Sequence, residues 1–142
     1  GPGYLVVDKP APLLVHPTRP GGAPTLWDGL RSLLAFELAN GGQISIVNRL
    51  DRETSGVTLI ATTQKRAREF GLAMQRREIG KRYLALCWGW PDSDTFEVDA
   101  PILRHGEITA YPIHVKQTVH PGGAACRTLI TAQEMEMPRE QN

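Results

Sequence analysis

The chain has 142 residues, 41% of them hydrophobic and 22% charged, with a formal net charge of +1. These values are typical of an ordinary globular domain, and no apolar run approaches the roughly 20 residues of a membrane-spanning helix. The sequence shows no secretory leader pattern, and its two cysteines lack the spacing of a metal site. We therefore expect a cytoplasmic protein without a bound metal, in which Cys87, within an apolar run, is a buried free thiol.

The N-terminal third of the chain is predicted to hold two short strands and one helix. Runs of β-branched and aromatic residues predict strands over 4–9 and 13–16, each ended by a proline. A loop rich in proline and glycine follows over 17–24. Thr25 is a favourable N-cap, and leucines at helical spacing continue the helix to a stop at Asn40-Gly41-Gly42.

The rest of the chain is predicted to be rich in strands. Apolar runs predict strands over 44–47 and 57–61 on either side of a polar loop, followed by a helix over 64–77. Further strands are expected over 81–90, 96–98 and 111–115, and a turn over 120–123 that joins its two flanking strands as a hairpin. This order of elements predicts a strand-rich α+β domain.

Positive charge is concentrated in the middle of the chain. Residues 48–90 carry nine basic and four acidic side chains, net +5, whereas residues 1–47 are neutral overall and residues 91–142 carry a net charge of −4. Such an excess is typical of a polyanion site on a near-neutral protein, although a solvated helix face gives the same pattern. The basic residues of this segment are Arg49, Arg52, Lys65, Arg66, Arg68, Arg76, Arg77, Lys81 and Arg82.

One string within this segment, Arg49-Leu50-Asp51-Arg52-Glu53-Thr54-Ser55-Gly56-Val57, places a carboxylate between two guanidinium groups on a loop between strands. The cations would favour the ionised form of Asp51 if they converge on it, whereas an isolated pair of this kind is usually a weak surface ion pair. Ser55 lacks the flanking glycines of a hydrolase nucleophile. Thr54 and Ser55 are therefore expected to hydrogen-bond the turn, and Gly56 to supply backbone freedom.

Residues 48–56 closely resemble the His-Arg-Leu-Asp-x-x-Thr-Ser-Gly signature of the RluA-type pseudouridine synthases. Residues 7–17 look like the opening segment of that family, and residues 81–85 resemble its Lys-x-Tyr-x-Ala motif. The resemblance implies a mixed, largely antiparallel sheet with helices packed on one face and an RNA cleft on the other. It also implies that Asp51 is the catalytic residue, and that Tyr83 contacts the target base and handles the C5 proton.

The activity that this resemblance implies is the isomerisation of a specific uridine to pseudouridine in ribosomal or transfer RNA. Such a reaction needs no cofactor, only a carboxylate, a base and a pocket for a nucleotide turned out of its stack. Arg49 would steady the vacated position or hold a phosphate. The candidates for RNA contacts are Arg49, Arg52, Lys65, Arg66, Arg76, Arg77, Lys81 and Arg82.

Two departures from the family pattern leave alternatives open. Asn48 stands where the family has His, and the later Gly-Arg-Thr-His-Gln-Ile-Arg segment, whose Arg pairs with the catalytic Asp, is not found in the sequence. We therefore expect residues 1–142 to be either a single, incomplete catalytic domain or a degenerate RNA-binding module of the same fold. An unrelated glycoside hydrolase would need a second acid, and only Glu53 lies close to Asp51 in the sequence.

Overall fold

The computed structural model describes residues 3–104 and 117–133, and the chain divides into two compact units, Gly1–Tyr83 and Leu84–Asn142. All strand pairs in the described residues are antiparallel, which confirms the predicted α+β class and largely antiparallel pairing. The first unit contains β1 (Tyr4–Lys9), α1 (Leu26–Leu33), α2 (Ala35–Ala39), β2 (Ser45–Ile46), β3 (Gly56–Ala61) and α3 (Gln64–Gln75). The second unit contains β4 (Thr95–Asp99), β5 (Ile102–Arg104), β6 (Gln117–Val119) and β7 (Arg127–Thr131).

Three strands of the first unit form a sheet in the order β1-β3-β2. The strands β1 and β3 pair along their whole length, and the two-residue β2 pairs with the end of β3. Because successive side chains of a strand point to opposite faces, Leu5 and Val7 share one face with Ile60. Val6 and Val57 lie on the other face, where their side chains are 58% and 65% exposed. One face of the sheet is thus buried, and the other is open at these two residues.

The helix α1 covers the buried face of the sheet. Leu26, Leu30 and the following Leu34 recur every four residues, which keeps them on one side of the chain. They pack with Val15 and with Ile60 of β3 in a single buried cluster. This cluster is the hydrophobic core of the first unit, and it supports the hairpin that carries Asp51.

Thr25 is the N-cap of α1, as the sequence predicts, and it forms a reciprocal capping box with Asp28. Its hydroxyl and its backbone N–H donate to the Asp28 carboxylate at 2.7 and 2.9 Å, and the Asp28 N–H donates to Thr25 Oγ1 at 3.4 Å. These hydrogen bonds lower the pKa of the Asp28 carboxyl group. The expected continuous helix is instead divided at Leu34, which leaves helical geometry with φ −102° and is buried in the core.

The helix α3 confirms the helix predicted over 64–77, and it ends slightly earlier, at Gln75. Beyond it the Arg77 N–H donates to the Met74 carbonyl and the Glu78 N–H to the Ala73 carbonyl. These two bonds form a Schellman motif, which requires the left-handed conformation at Arg77, where φ is +57°. No helix among the described residues has the length and apolar composition needed to cross a membrane.

Phe70 of α3 meets Tyr4 of β1 edge to face, with ring centroids 5.6 Å apart. Tyr4 precedes Leu5 in the strand, so its side chain lies on the face opposite to the core described above. This contact places part of α3 beside the first residue of β1, on the side of the sheet to which Tyr4 points. The two-residue link between β3 and α3 makes this possible, because the chain folds back directly onto the sheet that it leaves.

The second unit contains two antiparallel strand pairs, β4 with β7 and β5 with β6. Arg127 of β7 donates to Glu97 of β4 at 2.6 Å, and this hydrogen bond raises the pKa of the Arg127 guanidinium group. The strand predicted over 96–98 is confirmed within β4, whereas the strand predicted over 111–115 lies outside the described residues.

The hairpin predicted around 120–123 is wrong, although the turn itself is present. The strands on its two sides, β6 and β7, pair with β5 and β4 and not with each other. After the turn, Ile102 and Ala124 exchange backbone hydrogen bonds of 3.0 Å in both directions. A side chain at Gly123 would meet the Ile102 carbonyl carbon at 2.6 Å, so glycine permits this close crossing of two backbones.

Two other predicted strands are absent from the described residues, those over 13–16 and 81–90. In the first, the Leu14 and Val15 carbonyls accept from the Leu26 and Trp27 N–H groups at 2.9 and 3.0 Å. The segment therefore pairs with N–H groups that the first turn of α1 leaves free, and not with a neighbouring strand. All ten residues of the second segment are exposed, including Cys87, so the prediction of a buried thiol is also wrong.

We predict that Thr25→Ala lowers the free energy of unfolding by about 1 kcal/mol, because α1 loses its N-cap hydroxyl. The lowered pKa of Asp28 adds stability that is complete above the pKa of that group in the unfolded chain and is lost as the pH falls through its folded-state pKa. The difference in free energy of unfolding between Thr25→Ala and the wild type should therefore become smaller below about pH 3.9. Urea unfolding at several pH values measures it, with Thr18→Ala, in the exposed loop, as control. If Thr25→Ala and Thr18→Ala lost the same free energy of unfolding, the stabilising role of the Thr25 N-cap would be contradicted.

Candidate active site

Residues 49–55, which we call the aspartate loop, connect the strand pair β2 and β3. The Thr54 N–H donates to the Asp51 carbonyl at 3.2 Å, which closes a four-residue turn with Arg52 and Glu53 at its centre. Gly56, at the start of β3, has a φ of +122°, a conformation that other residues rarely adopt. The predicted backbone role of Gly56 is therefore confirmed, and the turn bond comes from the backbone of Thr54.

Lys9 attaches this loop to the rest of the first unit. Its side chain is fully buried, and its ammonium group donates to the carbonyls of Pro10, Leu13 and Arg52 at 3.0, 2.8 and 3.3 Å. The Arg52 carbonyl also accepts from the Leu13 N–H at 3.0 Å. Because Arg52 directly follows Asp51, these bonds fix the backbone beside the predicted catalytic residue.

Asn48 holds the other end of the aspartate loop. Its Nδ2 donates to the Val57 carbonyl at 3.0 Å, and its Oδ1 accepts from the Leu59 N–H at 2.8 Å. The preceding Val47 N–H donates to the Leu59 carbonyl at 2.9 Å, so the side-chain amide of Asn48 continues the backbone ladder between β2 and β3. The hydrogen bonds of Asn48 to Val57 and Leu59 therefore join the residues before and after the aspartate loop.

Asp51 itself is exposed at the turn. Within residues 3–104 and 117–133, its carboxylate forms no hydrogen bond and no ion pair, so neither flanking guanidinium group converges on it. Arg52 turns instead toward Glu53, with Nε 3.8 Å from a carboxylate oxygen. Arg49 is exposed on the same loop. The loop thus presents the accessible carboxylate of Asp51, which has no partner among the described residues, on a backbone that is held at both ends.

The other predicted site residues of the first unit lie on α3 and in the segment that follows it. Lys65 and Arg66 are in the first turn of α3, and Arg76 and Arg77 are at its C-terminal end. Lys81, Arg82 and Tyr83 follow in the exposed stretch, where the Tyr83 side chain is 60% exposed and forms no hydrogen bond with a described residue.

Some of these cations have acidic partners on the surface. Arg66 pairs with Glu69 at 2.7 Å and also lies over the Tyr4 ring, 6.0 Å from its centroid. Arg76 pairs loosely with Glu78 at 3.9 Å. Such exposed pairs contribute little to stability and can exchange their partner for a phosphate at small cost. Among the described residues, no three His, Cys, Asp or Glu side chains are close enough to hold a metal ion.

The structural roles of Lys9 and Asn48 were not predicted from the sequence. A pattern for Lys9 was available, because strict alternation in β1 puts it on the same face as Leu5 and Val7, where a lysine must be buried and hydrogen-bonded. Asn48 gave no such pattern, because its two backbone partners are set by the register of β3.

The sequence profile of the RNA pseudouridylate synthases matches residues 3–134 of the chain. The chain belongs to this family. A ribosomal large subunit pseudouridine synthase D from Nitrosomonas europaea is 35% identical over 125 residues, which are 87% of this chain and 34% of that protein. A mitochondrial pseudouridylate synthase from Xenopus tropicalis is 32% identical over 125 residues, which are 84% of this chain and 37% of that protein.

Comparison with solved structures gives the same fold. The protein named human RNA pseudouridylate synthase domain containing 4 superposes with a TM-score of 0.62 at 22% identity, over 89% of this chain and 48% of that chain. The synthase fold expected from the sequence is thereby confirmed. The chain spans about a third of the length of the curated relatives described above.

We predict that Lys9→Met lowers the free energy of unfolding by about 1–3 kcal/mol, because the Pro10 and Leu13 carbonyls lose a charged donor that is itself fully buried. The Leu13 amide, bonded to the Arg52 carbonyl, should exchange its hydrogen faster, while amides of the β1–β3 ladder stay protected. Urea unfolding and hydrogen exchange measure both effects. Lys65→Met, at an exposed lysine of α3, is the control and should change stability by less than about 0.5 kcal/mol.

If Lys9→Met proved as stable as wild type, the prediction would be wrong. It would mean that burying the ammonium group costs as much free energy as its hydrogen bonds return.

Proposed function

We propose that this protein is an RNA pseudouridine synthase and that Asp51 is its catalytic residue. The reaction breaks the N1–C1′ bond of a uridine, turns the base and forms a C5–C1′ bond, after which C5 loses its proton and N1, released from the sugar, gains one. It requires a carboxylate near the sugar or the base. The observation that carries the proposal is an exposed carboxylate on a loop held at both ends, within the family's own signature.

Tyr83 is proposed as the residue that contacts the extruded base and handles the C5 proton. Its exposed ring is available for stacking on a nucleotide turned out of its helix. Enclosure of the base by apolar walls would keep water from the detached uracil. This assignment rests on the resemblance of residues 81–85 to the family motif.

Phosphate contacts are proposed for the basic residues of the aspartate loop, of α3 and of the segment after it. Arg77 has particular support, because it holds a left-handed conformation that glycine adopts at lower cost, and local strain is often found at functional positions. Its side chain is exposed and forms no ion pair with a described residue. The full proposed set is Arg49, Arg52, Lys65, Arg66, Arg76, Arg77, Lys81 and Arg82.

The substrate is proposed to be ribosomal RNA, or else transfer RNA, in the cytoplasm. Two bacterial relatives, from Nitrosomonas europaea and Pseudomonas aeruginosa, are named ribosomal large subunit pseudouridine synthases, which favours ribosomal RNA. We further propose that residues 1–142 are part of one catalytic domain, as the matches to longer relatives suggest.

A second candidate function is an RNA-binding module that no longer catalyses the reaction. The observation that favours it is the isolated Asp51 carboxylate, which has no cationic partner among the described residues. In the family this Asp is paired with an Arg, so an unpaired carboxylate departs from the catalytic arrangement that the resemblance implies. The hydrolase alternative loses support, since Glu53 lies in the same tight turn and faces Arg52.

We predict that Asp51→Asn abolishes isomerisation in the complete protein while RNA affinity changes less than about threefold, because the loop backbone and the cations remain. Tritium release from RNA labelled at uridine C5 measures turnover, and filter binding measures affinity. Glu53→Gln, in the same loop, is the matched control and should retain activity. Turnover by Asp51→Asn would end the assignment of Asp51, and RNA binding without release by the wild type would support the non-catalytic module.

We also predict opposite effects of Arg77→Gly on stability and on RNA binding. Glycine relieves the left-handed strain, so the free energy of unfolding should rise by up to about 1 kcal/mol. Loss of one phosphate contact should reduce the slope of log K against log salt concentration by about 0.7 to 0.9. Urea unfolding and a salt titration of RNA binding measure the two effects.

Arg19→Gly, in the exposed loop over 17–24, is the control for the loss of one positive charge and should leave the salt dependence unchanged. A gain in stability by Arg77→Gly with an unaltered slope would show that Arg77 does not contact a phosphate.

A further inference from the structure

The strand β2 is only two residues long, which leaves the facing edge of β3 in need of further hydrogen-bond partners. On that edge the Leu59 carbonyl accepts from the Val47 N–H. The next groups along the edge are the Leu59 N–H and the Val57 carbonyl. Both are bonded by the side chain of Asn48 and not by a backbone, at 2.8 and 3.0 Å. A side-chain amide here imitates a peptide group, because it offers one donor and one acceptor side by side.

We propose that Asn48 is a positioning residue for Asp51, an inference that rests on the proposed function. Asn48 lies three residues before Asp51, at the point where the backbone leaves the sheet. Its two hydrogen bonds fix that point, as the bonds to the Arg52 carbonyl fix the chain just beyond Asp51. The carboxylate is thereby held in register with β3 although its own side chain has no partner among the described residues.

This arrangement needs both halves of the amide. An aspartate at position 48 keeps an acceptor for the Leu59 N–H but turns an oxygen toward the Val57 carbonyl, where two acceptors repel each other. A leucine has a similar size but bonds neither group. The family signature has a histidine at this position, whereas this chain has the amide of Asn48.

The test measures steady-state tritium release with Asn48→Asp and Asn48→Leu in the complete protein. Since a displacement of the reacting group by about 1 Å costs roughly 100-fold in rate, we expect kcat to fall about 10- to 100-fold while KM for RNA changes less than about twofold. Hydrogen exchange at the Leu59 amide should stay slow in Asn48→Asp, which keeps the acceptor, and become fast in Asn48→Leu.

Asn40→Asp is the matched control for a general loss of stability. The Asn40 Nδ2 donates to the Phe36 carbonyl at 2.8 Å at the end of α2, so this variant loses the same kind of bond away from the aspartate loop. It should lower the melting temperature without lowering kcat. A kcat for Asn48→Asp equal to that of the wild type would overturn the role of Asn48 alone. No tritium release by the wild type would overturn the proposed function and this inference with it.

Discussion

The geometry of the first unit depends on the hydrogen bonds that the buried ammonium group of Lys9 donates. A charge removed from water costs several kcal/mol unless its hydrogen bonds are satisfied, so the carbonyls around it must stay where they converge. Those carbonyls belong to the chain after β1 and to Arg52 in the aspartate loop. A requirement of the protein interior thus fixes the backbone of an exposed loop on the surface.

The aspartate loop combines a held backbone with an accessible side chain. Lys9 and Asn48 bond the backbone groups on either side of Asp51, and the carboxylate remains exposed between them. The proposed function would benefit from both properties, because the position of the carboxylate is set before a substrate arrives and its reactive atoms stay accessible. Arg77 at the end of α3 is a comparable case, because the Schellman hydrogen bonds hold its backbone and its side chain is exposed.

Local patterns predicted the elements whose stabilising contacts are themselves local. The cap at Thr25, the periodic helix α3 and the alternating strands β1 and β3 were identified close to their observed bounds. The errors fell where the decision depends on distant residues. Residues 13–16 have strand composition but form hydrogen bonds with the start of α1. After the turn over 120–123 the chain pairs with Ile102, and the strands on the two sides of the turn do not pair with each other. Alternation predicts which side chains share a face, and it contains no information about the partner.

For this protein, the sequence alone determined the chemical groups of the candidate site and their order: a carboxylate between two arginines, a glycine where the turn needs it and a concentration of basic residues around them. The tertiary structure decided how these groups are held. It turned Arg52 toward Glu53, buried Lys9 beneath the loop and bonded the Asn48 amide to β3. The physical reason is that residue types are local properties, whereas burial and hydrogen-bond partners depend on the chain segments that folding brings together.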